Sequence, residues 1–113
     1  MKDKKKKILL DLDGVLNSYK GDFEPFYIPS VKDEAVEFLK KLSSEYEVKL
    51  FTVRDKMLTA MWIIENNLQE YISGVTNVKE AAWLIVDDRC ICFDGKYDKL
   101  LNDINSFKVW YKN

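Results

Sequence analysis

Asp11 and Asp13 stand two residues apart after the apolar run Ile8-Leu9-Leu10, with Gly14 directly behind them. A strand interior favours apolar side chains, and an unpaired buried carboxylate is costly unless something compensates its charge. A cation does this: a hard ion such as Mg²⁺ takes oxygen ligands and keeps open positions for phosphate oxygens. An Asp-Gly turn after a strand is also ordinary, so the first pair alone leaves both readings open. Three further places sharpen it. Thr52 closes the run Glu47 to Phe51, Asp87-Asp88 close the run Ala82 to Val86, and Lys79 lies just before the latter. In an open parallel sheet, sites form at the carboxyl ends of the strands. Acids, a hydroxyl and an ammonium gathered there make the set that phosphoryl transfer needs: a carboxylate nucleophile, a cation site, and groups that hold phosphate oxygens.

Composition removes other chemistries. The chain has no histidine, which excludes Ser-His-Asp and Cys-His catalysis and His-ligated zinc hydrolases. Cys90 and Cys92, two apart on one strand face, are too close for an ordinary disulfide framework and lack further soft metal ligands. Free thiols, buried or half-buried, are expected. A net charge of −1 gives no global basic field, so no dedicated nucleic-acid binding is expected. Lys2, Lys4, Lys5, Lys6 and Lys7 crowd the N-terminus, either as a solvated end or as a weak guide for anionic substrates. No apolar run reaches membrane-spanning length, and Ile8-Leu9-Leu10 is too short for a signal-peptide core. A cytoplasmic protein without a membrane partner is expected. Its 113 residues suit a single domain, 1–113, with one modest core.

The elements that must position these residues follow from periodicity. Ile8 to Leu12 predicts a first buried strand, and Asn17 to Pro29 a loop rich in aromatics. Ser30 is a helix cap, and Val31, Ala35, Val36, Phe38, Leu39 and Leu42 make one apolar helical face that ends near Ser43-Ser44. Glu47 to Thr52 predicts a second strand, Lys56 to Asn67 a second helix, and Val75 to Val78 a short piece. Ala82 to Val86 reads as a buried strand, Cys90 to Phe93 as a further short one, Tyr97 to Ile104 as a third helix, and Phe107 to Tyr111 as a last strand. Strands alternating with helices imply an α/β fold whose mostly parallel sheet is covered on both faces.

The ordered set Asp11-x-Asp13-Gly14-Val15, Thr52, Lys79 and Asp87-Asp88 resembles the haloacid dehalogenase superfamily over residues 8–89. The resemblance implies a three-layer α/β/α sandwich with a Rossmann-like sheet. It also implies a Mg²⁺-dependent phosphohydrolase in which Asp11 is the nucleophile that becomes an aspartyl phosphate. Asp13 would protonate the leaving oxygen and then activate water, Thr52 would bind a phosphate oxygen, and Lys79 would hold nucleophile and phosphate. Mg²⁺ would be held by the Asp11 carboxylate, the Asp13 carbonyl and an acid of the Asp87-Asp88 pair, with Asp88 favoured and Asp87 in support. Asp at position 13 matches the family's phosphatases, whereas its dehalogenases lack that residue.

Of the two places where such proteins insert a cap, Asn17 to Pro29 is too short for a domain and Thr52 to Lys79 is filled by one helix, so the chain is expected to be capless. An open site contacts little of a small substrate. By family analogy this favours a bulky or macromolecular phosphorylated substrate, or a homo-oligomer in which a second subunit supplies the lid. Tyr19, Phe23, Phe26 and Tyr27 either stack on substrate or close the sheet edge as minor core. Arg54 either reaches a substrate phosphate or pairs with an acid at the surface, and Arg89 more often holds its own loop than binds substrate. Trp62, Trp83 and Trp110 are expected in the core, and Phe107 to Tyr111 is also a candidate dimerisation edge. Two other functions compete. A receiver domain gathers similar groups, but its phosphorylated acid follows a middle strand and its Lys comes late, an order this chain lacks. A catalytically weak binding or regulatory subunit remains the alternative.

Overall fold

Alternation along the first two strands decides how the molecule is layered. In the computed structural model, which describes residues 4–112, strand β1 (Lys7–Leu10) pairs in parallel with β2 (Glu47–Phe51), Ile8 opposite Val48 and Leu10 opposite Leu50. Strand β3 (Gly74–Thr76) joins β2, and β4 (Leu84–Val86) joins the other side of β1 with Leu10 opposite Val86. The sheet order is therefore β3-β2-β1-β4, all parallel. Leu10, Val48 and Leu50 project to one face. There they meet Ala35 and Leu39 of helix α1 (Ala35–Glu45) and Trp62 and Ile63 of helix α2 (Lys56–Glu65) in one buried cluster. Each such side chain withdrawn from water contributes roughly 1.5–3 kcal/mol, and these residues anchor the fold.

Local chemistry sets the helix ends. Asp55 caps α2, its carboxylate accepting the Leu58 amide at 2.9 Å. Asn67, at φ 58°, turns the chain out of α2 two residues beyond its end. Helix α1 starts at Ala35 and not at Ser30, and its N-cap Glu34 makes no side-chain cap bond. The reason lies upstream: the Ser30 carbonyl accepts the Ser18 amide and the Lys32 amide donates to Leu16. Residues 30–32 thus lie against the loop after β1 (Asn17 bridges Val31) and are unavailable for a helical turn.

The opposite face departs from the expected third layer. Lys7 and Lys49 project there, and both bond to Glu80, at 3.1 and 2.9 Å. Glu80 belongs to the connection 77–83 that carries the chain from β3, past β2 and β1, to β4. Crossing three strand spacings of about 4.8 Å requires roughly 14 Å, and seven helical residues reach only about 10 Å. The connection therefore runs as an open strap, tied down by the two ion pairs. Among the described residues, helix α3 (Tyr97–Ser106) packs on no other element, and none of its residues is buried.

Other expectations change with it. Segment 90–93 is not a strand, and 107–111 ends in a turn. Cys90 and Cys92 are free but exposed, because the strand meant to bury them does not form. Trp62 is core as expected, whereas Trp83 and Trp110 are exposed: Trp83 stacks on Tyr46 and lies beneath Lys6, and Trp110 lies beneath Lys32, contacts that cover the two rings only in part. Lys5, Lys6 and Lys7 engage Ser43, Trp83 and Glu80 around the start of β1, at the end of the sheet opposite the strand carboxyl ends. These three thus lie away from the strand carboxyl ends, and Lys2 lies outside the described residues.

Candidate functional site

β1 and β4 are neighbours, so the residues that follow them meet. The Asp11 amide donates to the Val86 carbonyl at 2.8 Å, continuing the ladder by one step. Carboxylate oxygens of Asp11, Asp87 and Asp88 consequently lie within 4.8 Å of one another. Three acids at this spacing repel. Burial first, then the charge of Asp87 and the hydrogen bond and charge of Asp88, push the Asp11 carboxyl up to about 8. Burial and Asp87 also raise Asp88. Without a cation the cluster holds a proton; a divalent ion among the three oxygens would remove that need. The residues fit such an ion by number, charge and ligand type, all oxygen.

Gly14 lets the acids come together. Its φ of +83° suits glycine, and a Cβ there would collide with the Asp88 carboxylate and press on the Tyr111 ring. The same turn is held from inside by Asn17, which is fully buried. Its side-chain oxygen accepts the amides of Gly14 and Tyr19, both at 3.1 Å, and its NH₂ donates to Asp13 at 3.0 Å.

The Asp13 side chain stands outside the three-acid cluster. It is gripped by Arg54, whose Nε donates to both carboxylate oxygens at 3.0 and 2.8 Å. Arg54 pairs with an acid, as one reading of the sequence had it, but in the interior: only 2% of the residue is exposed. Its Nη1 donates to the carbonyls of Glu24 and Tyr27 at 2.9 and 3.1 Å, and its guanidinium lies 4.6 Å from the Phe23 ring centre. One side chain thereby ties the acid after β1 to the aromatic loop. Thr52 is buried at the end of β2, and its hydroxyl oxygen accepts the Arg54 amide at 3.2 Å. Asn77 donates to the carbonyls of Thr52 and Arg54 at 2.6 and 2.8 Å, fixing that turn from the strap.

These groups border a cavity of about 600 Å³ lined by Asp11, Asp13, Thr52, Asp87 and Asp88 on its polar side. Its other walls are Tyr19, Gly21 and Phe23 from the loop after β1, Val53, Arg89, and Tyr111 with Lys112 from the C-terminal turn. That turn is docked by Trp110, whose indole N–H donates to the Gly14 carbonyl at 2.8 Å, and by an edge contact of Tyr111 with Tyr19 at 6.1 Å. Arg89 donates to the Tyr111 hydroxyl at 3.3 Å, so it holds the C-terminal turn as well as its own loop. The volume is that of ordinary small-ligand sites. Without a cap domain, the crevice still has walls, and the argument for a bulky substrate from a bare site loses its ground.

Of the sequence-predicted site residues, Asp11, Asp13, Thr52, Asp87 and Asp88 come together, while Lys79 does not. It is exposed on the strap and lies outside the cavity, because its neighbours Asn77 and Glu80 are anchored to the β2 turn and to Lys7 and Lys49. The cations bordering the cavity are Arg89 and Lys112. Asn17 and Asn77 escape sequence reasoning because a buried Asn and a loop Asn read alike; Asn17, three residues after Gly14's turn begins, carried the only local hint.

No known family model matches the sequence, and no curated protein matches it. A solved structure described as a conserved protein from Bacteroides thetaiotaomicron superposes with a TM-score of 0.60 at 22% identity, covering 97% of this chain and 100% of that one. At that identity the similarity speaks for the fold alone.

Proposed function

We propose that the chain is a Mg²⁺-dependent phosphomonoesterase of the haloacid dehalogenase type, capless, acting through phosphorylation of Asp11. The observation that carries the reading is the convergence of Asp11, Asp87 and Asp88 within 4.8 Å at the ends of adjacent parallel strands, in the same cavity as Asp13 and Thr52. Asp11, Asp87 and Asp88 would hold the ion, which when bound neutralises phosphate charge and keeps Asp11 ionised. Asp11 then attacks phosphorus in line with the departing oxygen. Asp13, oriented by Arg54 and Asn17, takes up a proton from solvent, passes it to that oxygen and later takes one from the attacking water. Thr52, whose oxygen already accepts the Arg54 amide, directs its O–H to a phosphate oxygen. Arg89 and Lys112 contribute positive charge at the wall. The cavity suits a phosphate ester whose organic part lies against Tyr19, Phe23 and Tyr111.

The test is phosphate release from an aryl phosphate with Mg²⁺, with EDTA, and with Asp11→Asn. Mg²⁺-dependent release abolished by chelation and by the substitution supports the reading. One observation favours a second reading, a weakly catalytic binding subunit: the family's lysine position, Lys79, is outside the cavity. A folded protein that binds Mg²⁺ yet releases no phosphate from a panel of esters would favour it.

A further inference from the structure

Helix α3 carries Tyr97, Leu100, Leu101 and Ile104 at the spacing of one apolar stripe, with Asp98, Lys99 and Asp103 on the other side. Such a stripe forms to be buried, yet Leu101 is 60% and Ile104 54% exposed. The stripe continues across a groove of about 320 Å³ to the segment just after β4, where Cys90 and Ile91 form the far wall. Beyond it β4 is an edge strand. Its Leu84 and Ile85, with Trp83 before them, are also exposed, and the second side of its backbone ladder is unpaired among the described residues. An apolar parallel edge strand left open to water is unusual.

The molecule as a whole exposes more surface than a closed monomer of its size. A folded monomer of 13.3 kDa exposes about 6,500 Å² by the size scaling, whereas this chain exposes 8166 Å². The excess, roughly 1,700 Å², is spread over the whole molecule and leaves room for the 800 Å² each partner contributes to a standard interface. The radius of gyration tells the same story: 15.2 Å against about 13 Å for a chain of this length.

We propose that this face is covered by a second copy of the chain, in a two-fold pair through the β4 edge and the α3 stripe. A copy of itself fits better than a charged partner. The charges around the stripe are of both signs, with Lys99 close to Asp94 and Asp103, so two copies meet without net repulsion. A two-fold axis also lets the β4 edges satisfy each other, with no free edge left over to extend into a fibre. The apolar side chains on the outer side of α2 are a weaker candidate. That helix already buries Thr59, Trp62 and Ile63, whereas α3 buries nothing.

Sedimentation velocity of the full chain over a concentration series tests this, with Leu101→Glu/Ile104→Glu as the variant. No α3 residue is buried in the monomer, so the substitutions leave its core intact, and far-UV circular dichroism checks that. The expected result is a dimer for the parent chain and a rise of more than about 100-fold in its dissociation constant for the double variant. Ile64→Glu on α2 should leave the dimer unchanged. A parent chain that stays monomeric, a dimer that survives the double variant, or a dimer broken by Ile64→Glu instead overturns the proposal.

Discussion

Arg54 concentrates more structural duty than any acid at the site. It binds both oxygens of Asp13, two loop carbonyls and the face of Phe23 from a position with almost no solvent. Removing one partner of an interior ion pair leaves the other uncompensated and costs about 3–5 kcal/mol when both are fully buried. Asp13 keeps 14% of its side chain exposed, so Arg54→Ala should cost rather less, about 2–4 kcal/mol. Urea unfolding would measure it. Arg54→Lys restores charge without the planar fork, so it should recover part of the stability while leaving the loop near Glu24 and Tyr27 open to proteolysis. Gly14 offers a sharper probe of the acid cluster. Gly14→Ala combines a left-handed backbone with a collision against the Asp88 carboxylate, at a cost of about 1–3 kcal/mol. Calorimetric titration with Mg²⁺ should show weakened binding, because the side chain that must move is a proposed ligand.

At the scale of elements, the strap 77–83 is held by Glu80. Lys49 and Lys7 bonded to its carboxylate hold it at about 2, below the usual value of 4.5. A lowered carboxylate stabilises the fold above its unfolded value, and that stability is lost as pH falls from about 4.5 toward 2. Glu80→Gln should therefore flatten this acid limb, seen as a smaller loss of stability between those pH values, with a modest loss near neutrality because the groups are partly exposed. The strap also shows why the sequence was legible in part. β1, β2, α1 and α2 came through because their apolar residues follow periods of two or 3.6 against a core that exists. That Asp11 and Asp87-Asp88 share one end of the sheet was legible from the rule that sites form at strand carboxyl ends, whereas the adjacency of β1 and β4 was not. Cys90 to Phe93 and Phe107 to Tyr111 have strand composition but do not pair, even though the outer side of β4 is open among the described residues, and pairing is a tertiary property. Lys79 was read from its place in a motif, and the anchors that fix it, Asn77 and Glu80, make bonds no local pattern announces. The C-terminal turn reaches the site through Trp110 bonding to Gly14, 96 residues away, so no local pattern in the sequence points to it.

For the whole molecule, the acid cluster links folding to protons and, through the proposed ion, to metal. Asp11 ionises near its ordinary 3.8 when unfolded but is raised to about 8 in the fold. Between those values the folded chain holds a proton that the unfolded chain has released. Stability of the metal-free protein is thus fully present below about pH 4 and falls as pH rises toward 8, at up to about 1.4 kcal/mol per unit for one proton. Glu80 acts with the opposite sign on the acid side, so the metal-free chain should be most stable near pH 4–5. An ion bound by the three carboxylates must displace that proton, so its affinity grows with pH and its stabilisation is largest where the empty cluster is weakest. Thermal unfolding with EDTA and with saturating Mg²⁺, at about pH 5 and about pH 8, should show a small metal-induced rise in Tm at the lower pH and a large one at the higher. Asp11→Asn, which is isosteric and carries no proton to displace, should abolish both the alkaline loss of stability and most of the metal-induced rise. A Tm of the parent chain that does not respond to Mg²⁺ at the higher pH would mean that the three acids share a proton as a structural feature and hold no ion.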